Sequence, residues 1–201
     1  MSELLAFVRL GFLHITDVTG MDHILFLFAL AAVYRPRDWR DALWVVTAFT
    51  VGHSVTLALA TTGTLHLPGD VIEFLIPVTI VATGVENLLV RERRSVPWGR
   101  RYRAVFAGVF GLVHGAGFAN YLRSHFVDRV AVPLFGFNLG IELGQILVLT
   151  LAGVVLVAAD ALLARVRLPA AAPAPLRLRV IAVSGVVALV ATRWAVERSP
   201  W

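Results

Sequence analysis

Residues 13–30 read LHITDVTGMDHILFLFAL, and the fold turns on how that stretch is taken. It is greasy enough for a bilayer, yet it contains His14, Asp17, Asp22 and His23. One helix from residue 4 to 34 would be about 46 Å long at about 1.5 Å per residue, against about 30 Å of hydrocarbon. The polar TDVTG run divides it into two pieces, each too short to span comfortably. A broken segment over residues 1–20 is therefore expected on the outer side, as a short crossing, an interfacial helix or a re-entrant half-helix. Irregular backbone at membrane depth persists only where protein buries it or a wet cavity receives it.

The rest of the 201-residue chain defines the class. It is 58% hydrophobic and 15% charged, with mean hydropathy +0.80; a soluble domain carries roughly a quarter charged residues. Apolar spans fall at 21–34, 42–61, 71–90, 104–122, 132–157 and 179–196, after a shorter piece at 4–13. Runs of this kind predict an all-α polytopic transmembrane bundle, six full spans plus a short N-terminal broken or half-helix segment. The whole chain, 1–201, reads as one integral membrane domain. Residues 21–157 would form its core, 168–175 an Ala/Pro linker and 179–196 the last span.

All 18 basic residues are arginine. They gather in alternate gaps: RPRDWR (35–40), RERRSVPWGRRYR (91–103) and the stretch 158–178, whereas TGTLHLPGD (62–70) has none. That alternation is the positive-inside pattern and predicts cytoplasmic Arg-rich loops. No basic stripe interleaves with aromatics, so no nucleic-acid partner is expected. Cysteine is absent, which excludes disulfides, thiolate metal sites and thiol nucleophiles. Glu3 stands where a signal peptide wants positive charge, so no removable signal is expected. Pro133 suits the first turn of its helix; Pro77, inside its span, is expected to kink it unless neighbours satisfy the freed carbonyl.

With that topology, His53 and His114 each lie about 12 Å below the outer end of their spans, and Glu142 about 15 Å below its own. Asp22 and His23 open the first span, with His14 and Asp17 just before them. Four distant segments thus place ionisable groups in one outer-half layer. Asn138, Glu142 and Gln145 share a helix face by their spacing, and Thr50, His53 and Ser54 cluster on another. Imidazole with carboxylate, and no thiolate, suits borderline divalent ions: Ni²⁺, Co²⁺, Zn²⁺ or Cu²⁺. The predicted metal ligands are His14, Asp22, His23, His53, His114 and Glu142, supported by Asp17, Ser54, Asn138 and Gln145. Asp17 and Asp22 can equally be read as helix N-caps. His66 and His125 fall in loops and read as solvated, and Glu86 and Asn87 near the inner end read as exit lining or interfacial groups.

Five motifs in order, GFLHITDVTGMDHILFLFAL, FTVGHSVTLALA, IEFLIPVTI, FGLVHGAGFANYLR and FNLGIELGQ, resemble the HupE/UreJ family of membrane proteins. The resemblance covers most of the chain to about residue 150; the last span carries no motif of the family. It implies a secondary permease for nickel, or for cobalt, in a bacterial inner membrane, with the metal ion as its substrate and the bilayer as its partner. It also marks His14, Asp22, His23, His53, His114 and Glu142. The chain departs from the family pattern at Ile15, where some members have proline, and in the seven residues between His14 and Asp22. This places it on a divergent branch. The alternative function is an intramembrane zinc-dependent hydrolase using the same His/Asp cluster, although no H-E-x-x-H motif is present. Transport is the favoured reading over enzymatic activity, and the oligomeric state is left open.

Overall fold

The computed structural model describes residues 3–65, 68–89, 101–123, 131–165 and 173–201, and the regular elements among them are helices. His66, His125 and most of the expected linker at 168–175 lie outside the described residues. In chain order the helices are α1 (Glu3–Thr16), α2 (Asp22–Ala31), α3 (Trp39–Thr61), α4 (Gly69–Leu89), α5 (Arg101–Arg123), α6 (Ala131–Leu163) and α7 (Pro175–Glu197). The last five match the apolar spans expected from 42 onward. Their limits follow local chemistry. Pro175, with no N–H to waste, opens α7. Gly63 adopts a left-handed φ of 75° after α3, letting Gly63 and Thr64 donate to the carbonyls of Ala60 and Leu59. α4 runs on through Pro77 as one helix.

Three helix pairs hold the bundle together, each at glycine. In α3–α5, a Cβ at Gly52 would overlap the carbonyl of Gly108, and one at Gly111 or Gly115 would overlap Phe49 or His53. Contacts advance together along both helices, so α3 and α5 run parallel. In α1–α6, Gly136, Gly140 and Gly144 face Leu4, Val8 and Ile15, again in parallel order. In α4–α7, Gly84 meets Ser184 and Ala188, and Arg177 reaches the carbonyls of Asn87 and Leu88, so this pair is antiparallel. Small residues allow such approach where lipid offers no hydrophobic drive between helices. The outer faces stay apolar, with Phe135, Val154 and Leu189 all more than half exposed.

The segment quoted first is a discontinuous helix. α1 packs along residues 136–144 of α6, and Ala31 at the end of α2 packs with Ala152 and Leu156 further down. The two short helices therefore lie in series along α6. The expected full span at 21–34 is instead a helix of 10 residues, about 15 Å long and too short to cross alone. Four helices among the described residues are long and apolar enough to cross. α5, with 23 residues, is not among those four, and a count of six full spans is not confirmed among the described residues.

A helix that ends inside protein leaves carbonyls without partners. For α2 they are met by side chains: Asn87 donates to Ala29 O, and Arg179 to Ala32 O and to Tyr34 O beyond the helix end. Cations at a helix C-terminus are also favoured by its dipole.

Gly52→Ala and Gly140→Ala are expected to destabilise the purified protein by about 1–3 kcal/mol through overpacking. Gly153→Ala and Gly185→Ala, where an added Cβ meets nothing within 4 Å, should leave thermal unfolding unchanged or raised. Melting in one detergent checks all four.

Candidate metal centre

The break between α1 and α2 is a turn built by Asp17. Its carboxylate accepts from Thr19 N at 2.8 Å and Thr19 Oγ1 at 2.7 Å, on the surface of the molecule. That turn brings the end of α1 back beside the start of α2, so the rings of His14 and His23 lie 4.7 Å apart edge to face. α3 adds His53, with ring centroids 6.3 Å from His14 and 6.4 Å from His23. α5 adds His114, 5.2 Å from His23. His53 and His114 meet here because Gly115, next to His114, presses on the backbone of His53.

One nitrogen each from His14, His23 and His53 lies within 4.8 Å of the others. Ligands about 2.1 Å from a tetrahedral ion sit about 3.4 Å apart, so small ring movements would close the set. His14 is half-buried, and the other three are buried. Among the described residues, Nε2 of His14 and His23, both ring nitrogens of His53 and Nδ1 of His114 are buried without a hydrogen-bond partner. A neutral imidazole carries one donor and one acceptor, so His53 leaves both unmet. Buried polar atoms are nearly always satisfied, and each exception calls for a cause. The remaining nitrogen of His114, Nε2, bonds Thr79 Oγ1 at 3.0 Å, fixing that ring.

Aromatic rings wall the cluster. Phe118 lies 4.0 Å from the His14 ring and stacks on Phe137 at 5.2 Å, and Phe49 stands 5.1 Å from His114. Beside it, an open cavity of about 310 Å³ is lined by Leu10, Leu13, His14, Thr16, Asp17 and Phe118. It leads from the surface to the His14 side of the cluster.

The carboxylates stand elsewhere. Asp22, next to His23, takes both oxygens to Arg198 Nη1 at 3.1 and 3.3 Å. Glu142 accepts from Thr47 Oγ1 at 2.6 Å, and Gln145 accepts from Thr50 Oγ1 at 2.8 Å, clasping α6 to α3. Ser54 donates back to Thr50 O, and Asn138 to Leu134 O with its own Oδ1 left unpartnered. The four predicted histidines thus come together, whereas Asp22, Glu142 and the supporting residues Asp17, Ser54, Asn138 and Gln145 are engaged with other partners. Sequence reasoning missed Thr79, Phe118 and Phe137. Thr79 could have been found as the one hydroxyl at the depth of His114 in α4.

The fold and this cluster define a helical membrane protein with a buried, ligand-poor imidazole centre. The HupE / UreJ protein family profile matches residues 1–198, and the chain belongs to that family. Comparison with curated proteins and with solved structures gave no match.

Read as a metal centre, the cluster predicts that each of His14→Gln, His23→Gln and His53→Gln weakens binding of added Ni²⁺ to the purified protein by at least about 10- to 100-fold, the range seen for loss of outer-shell partners of a metal site. Titration calorimetry checks this, with Co²⁺ and Zn²⁺ as comparison ions. His66→Gln should bind as the wild type does.

Proposed function

We propose that this protein is a permease for a divalent transition-metal ion, nickel foremost, with cobalt or zinc served by the same donor chemistry. The observation that carries the reading is the convergence of His14, His23 and His53 within 4.8 Å, their free nitrogens buried among aromatic rings. Membership of the HupE/UreJ family, whose members are regarded as nickel or cobalt permeases, supports it. Imidazole without thiolate suits borderline ions, and it holds them without the near-irreversible grip of a thiolate cage.

His14, His23 and His53 serve as the first ligands and His114 as the fourth. The ion arrives through the cavity beside His14 and Asp17. Four neutral imidazoles leave its charge unbalanced, so Asp22 and Glu142 supply the compensating charge, Asp22 by leaving Arg198. Asp17, Ser54, Asn138 and Gln145 hold the surrounding backbone and helices in register. The arginine-rich ends face the cytoplasm of a bacterial inner membrane, and the cavity opens on the opposite side.

An intramembrane zinc hydrolase is the weaker reading. Three imidazoles do match a catalytic zinc set, but among the described residues Ser54 is bonded to its own helix, Asp22 to Arg198 and Asp17 to Thr19, so each candidate for the chemistry is already engaged. Stoichiometric zinc surviving purification would favour the enzyme.

Reconstituted protein should carry Ni²⁺ into liposomes holding a metal-quenched dye. His23→Gln and His53→Gln should reduce the initial rate at least about tenfold, the scale of losing about 1.4 kcal/mol of ion binding. Equal rates in wild type and both variants would end the permease reading.

A further inference from the structure

Beyond the imidazoles, the densest polar structure lies at the opposite, arginine-rich end of the bundle. Glu86 of α4 pairs with Arg103 of α5 and accepts from Tyr102. Arg103 also donates to Asn87, whose own amide donates to Ala29 O of α2 and to Ser184 of α7. Arg179 of α7 pairs with Asp160 of α6 at 2.7 Å while donating to the carbonyls after α2. Side chains of Arg103 and Arg179 are only 8% and 4% exposed, so these are not solvated topology signals.

Charges buried in this way are expensive to place and expensive to part. The network ties together the ends of five helices, and it closes on the C-terminus of α2, whose N-terminus carries His23. α2 is short and rigid, so its two ends move as one. Arg103 Nη1 is buried with no hydrogen-bond partner among the described residues, so one donor of this buried guanidinium goes unmet, at a cost. The cavity beside His14 shows the other end open.

We propose that Glu86, Arg103 and Asn87, with Arg179 and Asp160, form the gate that closes the arginine-rich end, and that α2 links this gate to the imidazole centre. The proposal rests on the permease reading. Here the bundle is open towards the cavity and shut beyond the site. Release of the ion requires the Glu86–Arg103 pair to part, freeing the end of α2 and shifting His23 away from the other ligands.

Thr83 lies between the two centres, one turn from Thr79 and one from Asn87, and is 2% exposed. The chain has no cysteine, so Thr83→Cys gives a single thiol of nearly the same size. In vesicles of known orientation, a membrane-impermeant thiol reagent applied at the arginine-rich side should label it slowly. Glu86→Gln with Arg103→Gln should raise the labelling rate at least about tenfold, as a minor open state of about 0.1–10% becomes dominant. The reversed pair, Glu86→Arg with Arg103→Glu, should restore part of the protection. Arg179→Gln serves where the double variant fails to fold, and is expected to act in the same direction.

Fast labelling of Thr83→Cys alone, or continued protection in folded gate variants, overturns the proposal. Labelling needs no metal, so it separates the two readings. A gate that behaves as stated in a protein that carries no Ni²⁺ leaves the gate and removes the permease. Ni²⁺ uptake with Thr83→Cys equally exposed in all variants does the reverse.

Discussion

Backbone approaches backbone at glycine in three helix pairs, and the positions of His14, His53 and His114 depend on two of them, α1–α6 and α3–α5. A side chain at Gly52, Gly111 or Gly140 would push its helix away from a facing carbonyl. The imidazole separations of about 5–6 Å could not survive it, because a ring reaches only a few ångströms from its helix axis. The same closeness explains why a chain with few charges can assemble in lipid. Lipid tails offer helices no hydrophobic reward for associating, so packing and a few polar clasps carry the load. Thr47–Glu142 and Thr50–Gln145 are two such clasps.

The break in the first crossing is the second consequence of that packing. A continuous helix through residues 3–31 would hold His14 and His23 nine residues apart on one rod, about 13 Å along its axis. The Asp17 turn removes that separation and lays the two rings edge to face. At its other end α2 stops at Ala31, and the carbonyls there are met by Arg179 and Asn87. The imidazole cluster and the buried ionic network thus lie at the two ends of one short helix.

Much of this was legible in the residues, and the rest was not for definite reasons. Apolar runs of about twenty residues located α3 to α7, because lipid forces every backbone group into a helix of near-fixed length. Counting residues from the span ends put His53 and His114 at one level, and Gly115 beside His114 does meet the backbone of His53. The ten-residue length of α2 was not readable: AAVY, residues 31–34, is as apolar as the helix and carries no stop signal before Pro36. The inward turn of Arg103, Arg177 and Arg179 was hidden too, because partner groups lie from 16 to 147 residues away. An arginine at a span end reads as a topology signal until its partner is seen. Asp22 shows the same limit: nothing in the sequence pairs it with Arg198, 176 residues on.

Charge accounting links these observations. Among the described residues, Asp22, Glu86, Asp160 and Glu197 each face an arginine, whereas Glu142 faces only a hydroxyl. An ionised carboxylate in the bundle without a cation is costly, and so is a divalent ion held by neutral imidazoles alone. The two deficits have opposite sign and lie on adjacent helices, α6 and α3. Thr47–Glu142 and Thr50–Gln145 join those two helices, so the carboxylate without a cation and the helix of His53 are held against each other. A carboxylate without its own cation and imidazoles without partners are what the proposed carrier reading uses, and a bundle that needed only to be stable has no need of either.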